Sequence, residues 1–388
     1  MHTPLFPAFR SRLAALGRRT THTLRQTTLA QLQQQLGDFL PPPLLSAEDE
    51  GPNSRERVFS LRLTFECFLW QMLQPKTSCR EVVRQVQALF RLNGLGPVDE
   101  GDSAYVQARQ RLPRERLEKA LAATAQAARV RAGHSTALQG RPVKVVDGST
   151  TQLADTFKNQ QRYPQPSTQK AGCGFPVLKL AVLFCLHSGA VLEVLLGSLH
   201  HHDLRLLRGL WERLAQGDIL LGDRAYPAHE LAALYARRWR LELCLRDLKT
   251  TLGMDQLRCK SPDMAEKELL AYLVAHNLIR CVMAEAVAQH AVDLERISFK
   301  GTVDALRQFS AAIAQARHRK MRRQLWDDLL LNLARDLVPL RPGRREPRAV
   351  KRRPKPYPLL NQPRRQFVEI SHRSRYWKGR PRNYRGLN

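Results

Sequence analysis

The sequence predicts an α/β protein, a small sheet core with helix-rich chain on either side. Three observations predict it. Apolar residues recur at one-face helical spacing before residue 135, and four short β-branched or leucine-rich runs lie between residues 143 and 221. Helix upon helix then follows to about residue 338. At 388 residues with 43% apolar content, the chain has enough material for two to three domains and a real core, which excludes wholesale disorder.

The elements follow in order. Leu61, Phe65, Phe68, Leu69 and Met72 fall on one helical face after the linker Pro41 to Ser54, and Ser78 with Glu81 forms a capping box ahead of the next helix. The glycine-rich loop 93–102 precedes another apolar-periodic run, Ser103 to Ala132. Residues 1–135 thus form a helical domain, a candidate for DNA binding through a helix in the major groove. Strands are expected at Val143 to Val146, Val177 to Leu186, Ala190 to Leu196 and Ile219 to Leu221, with an amphipathic helix His202 to Leu214 before the last. No Gly or Pro interrupts the chain between Pro227 and Gly253, and Ser261 with Pro262 opens a later helix. The expected divisions are 1–135, 140–338 and a Pro/Arg-rich tail, 339–388.

Charge narrows the partners. Lys and Arg number 63 against 35 Asp and Glu, a net +28, and residues 341–388 carry 16 Lys/Arg against 2 Glu. A polyanion is the natural counterpart. The run Arg317 to Arg323 and the tail Arg344 to Lys355 suit phosphates without reading bases, or form a solubilising tail. Seven scattered cysteines show no CxxC and no zinc-ligand spacing, so reduced thiols and a cytoplasmic setting are expected. Val177 to Leu186 is about half of what crosses a bilayer, and no membrane role is expected. His200, His201 and His202 with Asp203 are consecutive and cannot all face one ion, so they are better a solvated junction.

Two carboxylates stand out. Asp147 ends one apolar strand before Gly148-Ser149-Thr150, and Asp223 ends another before Arg224. Were those strands parallel neighbours, the carboxylates would converge and could share Mg²⁺, although an Asp after an apolar strand is common. Tyr235, Arg238, Glu242 and Lys249 lie within roughly 60° of arc on a regular helix, beside a leucine stripe. That pattern fits an acid flanked by cations that grip phosphate. It also fits a solvated face with an ordinary Arg238 and Glu242 pair.

The spacing Tyr235, Arg238, Glu242, Lys249 resembles the YREK signature of the bacterial insertion-sequence DDE transposases of the insertion-sequence-four family. Asp147-Gly148-Ser149-Thr150, Tyr163-Pro164-Gln165-Pro166, Gly172-Cys173-Gly174-Phe175-Pro176, Gly222-Asp223-Arg224 and Leu248 to Met254 look like that family, over most of 50–365. The resemblance implies a ribonuclease H-like mixed sheet and Asp147, Asp223 and Glu242 as ligands of a two-metal site with Mg²⁺ or Mn²⁺. It also implies Tyr235, Arg238 and Lys249 on DNA phosphates, with Arg224 beside them and Trp239 stacking on a base. The implied activity is hydrolysis at the element's ends followed by strand transfer into target DNA, by a homodimer assembled on DNA in the bacterial nucleoid.

One departure is large. Family members place a helix, a strand and a strand-rich insertion between the second Asp and the Glu, whereas Asp223 and Glu242 are 19 positions apart here. An internal deletion is the expected cause. With a helix running from Ala228, Glu242 would lie roughly 21 Å along its axis, against a reach of about 17 Å for the five-residue link. Retained DNA binding with impaired or lost cleavage is therefore expected, alternatively a non-catalytic remnant that inhibits intact transposase.

Overall fold

In the computed structural model the described residues are 39–40, 58–74, 77–92, 96–133, 140–170, 172–200, 206, 209–210, 213–222, 239–316, 318–339 and 366. The linker 41–54, most of the helix expected at 202–214, and nearly all of the tail lie outside them.

Four helices come first: α1 (Leu61–Leu73), α2 (Cys79–Leu92), α3 (Ser103–Arg111) and α4 (Arg114–Ala132). The Ser60 hydroxyl caps α1 by accepting the Leu63 N–H at 3.3 Å. At α2 the capping box forms as the sequence predicts. Glu81 Oε2 accepts the Ser78 N–H at 2.6 Å, and the Ser78 hydroxyl accepts the Glu81 N–H at 3.3 Å. The apolar-periodic run from Ser103 to Ala132 holds two helices, because Pro113 cannot donate to the ladder and serves as the N-cap of α4.

The sheet holds β1 (Val143–Gln152), β2 (Val177–Cys185), β3 (Val191–Ser198) and β4 (Ile219–Leu221) in the order β3-β2-β1-β4. A short helix, α5 (Phe157–Arg162), lies between β1 and β2. β2 is antiparallel to β1 and to β3, whereas β4 is parallel to β1 with Val143, Lys144 and Val145 opposite Ile219, Leu220 and Leu221. Asp147 does not end its strand. It is the fifth residue of ten, because Gly148 to Gln152 keep their ladder with Ala181 to Val177 after β4 has stopped. What ends at Val146 is the fully buried part of β1.

After β4 come α6 (Trp239–Arg246), a π-helical turn Asp247–Thr251, α7 (Pro262–His290), α8 (Phe299–Gln315) and α9 (Arg319–Arg335). Ser261 and Pro262 open α7 as expected. By length and composition α7 could cross a bilayer, but 89% of its apolar window is buried within the protein. One sheet face, with Val143, Val145, Leu178, Leu180, Val182 and Phe184, packs against α7, and the other buries Val146, Ala181 and Leu183 with Leu206 and Leu210. α4 lies on α7 as well. The Asn277 amide, fully buried on α7, accepts the Val191 N–H at 2.8 Å and donates to the carbonyls of Val191 at 2.9 Å and Leu121 at 3.4 Å. One polar side chain thus satisfies the start of β3 and ties it to α4.

Candidate active site

Asp147 is half-buried on the β1 face that Val143, Val145 and Thr151 share by alternation. Its Oδ1 accepts the N–H of Gly148 at 2.8 Å. Glu242 is half-buried on α6, whose Leu241, Cys244 and Leu245 enter the core. Trp239 opens α6. Asp223, Arg224, Tyr235 and Arg238 lie outside the described residues.

Lys249 departs from the regular helix that the spacing argument assumed. It sits in the π turn, closed by the Leu252 N–H donating to the Asp247 carbonyl at 3.0 Å. The extra residue in that turn rotates Lys249 away from the ideal stripe through Glu242, because each residue of an i to i+5 turn advances less than the α-helical 100°. The turn nonetheless brings Lys249 into the field of Asp147. Burial depresses its ammonium below the ordinary lysine value, while the carboxylates of Asp255 and Asp147 act in the opposite direction.

The chain then runs alongside β1. The Thr151 hydroxyl donates to the Met254 carbonyl at 2.5 Å, Gln152 N–H donates to Asp255 O at 3.1 Å, and Leu257 N–H donates to Gln152 O at 2.8 Å. The strand bearing Asp147 and the turn bearing Lys249 are therefore fixed to one another by buried polar contacts. At a rise of about 1.5 Å per residue, Glu242 lies on the order of 10 Å back along the axis from Lys249.

Sequence reasoning overlooked Asp247. It lines a cavity of about 360 Å³ under α6, with Val145 and Phe184 of the sheet, Arg280 of α7 and Lys300 of α8. Burial pushes Asp247 up to about 6, against the pull of Arg246 and Arg280. Its signal was an acid one residue before the buried Leu248 on an otherwise polar stretch, which helical periodicity alone does not single out.

Asp147 and Glu242 offer hard carboxylate oxygens, the donor chemistry that Mg²⁺ and Mn²⁺ take. Among the described residues no group of three His, Cys, Asp or Glu side chains is close enough to hold an ion.

Comparison with known proteins gives the geometry its context. Residues 138–229 and 225–278 match the transposase DDE domain family in two segments. The chain thus resembles the insertion-sequence DDE transposases in these segments. It is 23% identical to the transposase InsG for insertion sequence element IS4 of Escherichia coli (strain K12), over 421 aligned positions covering 83% of this chain and 93% of that one. It is 33% identical over 116 residues to the transposase for insertion sequence element IS421 of Escherichia coli, 29% of this chain and 31% of that relative. No solved structure matches this chain significantly. The InsG alignment uses about 320 of the 388 residues here against 421 positions, so about 100 of those positions have no counterpart in this chain.

Proposed function

We propose that this chain is a transposase that binds double-stranded DNA at the ends of its insertion sequence, cleaves it and transfers the strands to target DNA, on a ribonuclease H-like fold with Asp147, Asp223 and Glu242 as its carboxylates. The observation that carries the reading is the parallel β1 and β4 ladder. Val145 pairs with Leu221 on neighbouring parallel strands, and Asp147 and Asp223 each come two positions later in the sequence. The order β3-β2-β1-β4, an antiparallel trio with a parallel fourth strand, supports the fold assignment.

Mg²⁺ or Mn²⁺ held by these carboxylates would lower the pKa of the attacking water or 3′-hydroxyl and stabilise the leaving oxygen. The chain's own groups do the rest. The Gly148 N–H orients the Asp147 carboxylate, and Lys249, in the field of that carboxylate, neutralises a phosphate oxygen. Tyr235 and Arg238 grip neighbouring phosphates, Arg224 adds a cation beside the second Asp, and Trp239 stacks on a base. No covalent protein nucleophile takes part. Residues 1–135 serve DNA binding, 140–338 cleavage, and the basic tail 339–388 adds phosphate contacts. The working assembly is a homodimer on DNA, in the bacterial cytoplasm at the nucleoid.

A second reading, a DNA-binding copy with little or no cleavage that blocks intact transposase, draws on the short interval between Asp223 and Glu242. The two matches to the DDE domain meet at residues 225–229, where an internal deletion would put their junction, and the unmatched InsG positions are of the right order for a lost insertion. Purified protein on labelled element ends with Mg²⁺ separates the readings. Nicking that disappears in Glu242→Ala supports the working transposase. Binding without nicking decides for the blocking copy, and absence of any DNA binding refutes both.

A further inference from the structure

An open groove separates α5 from the start of α7, away from the carboxylates and from the cavity under α6. It encloses about 680 Å³, with Lys158, Gln161 and Arg162 on one side and Ser261, Asp263 and Lys267 on the other. Three cations face one carboxylate. Lys158 makes no ion pair among the described residues, and Lys267 spends one N–H on the Gln110 carbonyl at 2.8 Å. The neighbouring acid, Glu266, is buried and committed to the Tyr163 hydroxyl at 2.5 Å and to Arg114. Arg162 reaches it only at 3.7 Å, with 63% of its own side chain exposed. Lys267 also stands in the field of Asp263 and Glu115, so Lys158 and the exposed Arg162 carry most of the charge that the groove offers to a ligand.

An aromatic ring stands beside these cations. Phe157 is 83% exposed, although α5 itself is firmly anchored: the Asn159 amide on its inner side donates to the Ala154 carbonyl at 2.9 Å and the Cys259 carbonyl at 3.1 Å. Phe157 and Gln161 are four residues apart and therefore share a stripe, with Lys158 and Arg162 on the adjoining one. A rigid helix holding a bare phenyl ring next to a cationic groove matches the two requirements of a single nucleic-acid strand, charge for phosphates and a flat face for a base.

We infer that this groove is a second DNA subsite, in which Lys158, Arg162 and Lys267 take backbone phosphates and Phe157 stacks on an unpaired base. The inference rests on the reading of the chain as DNA-acting and adds where an opened strand goes. A blunt duplex keeps its bases stacked and gives the phenyl ring nothing to cover, so the subsite selects a frayed or single strand.

The test is fluorescence anisotropy with the full-length chain and two labelled probes, a 20-nucleotide single strand and the blunt duplex of the same sequence, over a salt titration. Phe157→Ala is expected to weaken single-strand binding about tenfold with duplex affinity unchanged. Lys158→Ala is expected to reduce the slope of log K against log salt for the single strand by about 0.7. Both residues are on the surface, and thermal melts equal to wild type establish that the variants fold. Wild-type affinity and salt slope in both variants overturn the subsite while leaving the transposase reading intact. Equal weakening of both probes by Phe157→Ala overturns the stacking role. Wild-type protein that binds neither probe overturns the subsite and the DNA-acting reading together.

Discussion

Replacing Thr151 by valine exchanges one hydroxyl for a methyl group at nearly constant volume, in a place where the consequence can be worked out. Thr151 is 2% exposed and Met254 is fully buried, and the hydroxyl donates to the Met254 carbonyl at 2.5 Å. Valine deletes the bond and leaves that carbonyl facing a methyl group. A neutral hydrogen bond contributes about 1 kcal/mol and an orphaned buried acceptor costs about 1 to 3 kcal/mol, so a net loss of about 2 kcal/mol is expected. Thr151→Ser is the control. It keeps the hydroxyl and loses one buried methyl, for about 1 kcal/mol. Urea unfolding followed by tryptophan fluorescence should therefore rank wild type above serine and serine above valine. Amide exchange adds a local reading, since the Leu257 N–H donates to Gln152 O at 2.8 Å beside the same contact. Its exchange should quicken about thirtyfold in the valine variant, the factor equivalent to about 2 kcal/mol. Serine proving worse than valine, or unchanged exchange at Leu257, would show that packing and not the hydroxyl holds the 254–257 segment against β1.

Four further outcomes are expected. His276 is fully buried between Phe184 and Phe299, and burial with the nearby Arg280 depresses its pKa to about 3. Between about pH 3 and 6.5 the unfolded chain then binds the proton that the folded chain refuses. Stability from this group is present above pH 6.5 and falls with acidification, by about 1.4 kcal/mol on reaching pH 5.5; urea curves for wild type and His276→Leu at pH 5.5 and 8 should differ by that amount. Gly189 has φ +68°, and a Cβ there would meet the Arg280 guanidinium at 2.5 to 2.8 Å. Gly189→Ala should cost about 3 kcal/mol or more, because left-handed strain adds to loss of the Arg280 bond to the Ser188 carbonyl at 2.7 Å. Gly133→Ala, at φ +74° and ψ −164° with nothing within 4 Å, should cost about 1 to 3 kcal/mol in the same melts, from backbone strain alone. Finally, Lys249→Gln should lower the salt slope of binding to duplex element ends by about 0.9, one phosphate contact, and an unchanged slope would remove Lys249 from the DNA-facing set.

The sheet was legible because its strands are continuous Val, Leu and Ile runs with polar punctuation, and the capping box at Ser78 and the Ser261-Pro262 start were legible because those signals are local. The extension of β1 through Gly148-Ser149-Thr150 was not, since Gly148 and Ser149 have little strand preference and the segment is held by its pairing with β2. The π turn at Asp247–Thr251 was missed for a related reason. Periodicity arithmetic assumes one advance per residue, and the irregularity depends on contacts such as Met254 N–H to the Leu248 carbonyl at 3.1 Å and Thr151 to Met254. Of the candidate site, Asp147, Glu242 and Lys249 were found by pattern and resemblance, whereas Asp247 is conspicuous only once burial and its two arginine neighbours are known.

The amide of Asn277 has a bearing on how such a chain can be taken apart. By serving Val191 and Leu121 together it makes the first helices and the sheet share a single keystone, with Cys281 and Thr124 meeting one turn further on. Cutting the gene near residue 135 would strip α4 from α7, expose a long greasy flank to water and leave one N–H of that amide without the Leu121 carbonyl. Fragments divided there would precipitate or unravel before they could be assayed, so the two halves have to be inherited, expressed and mutated as one piece.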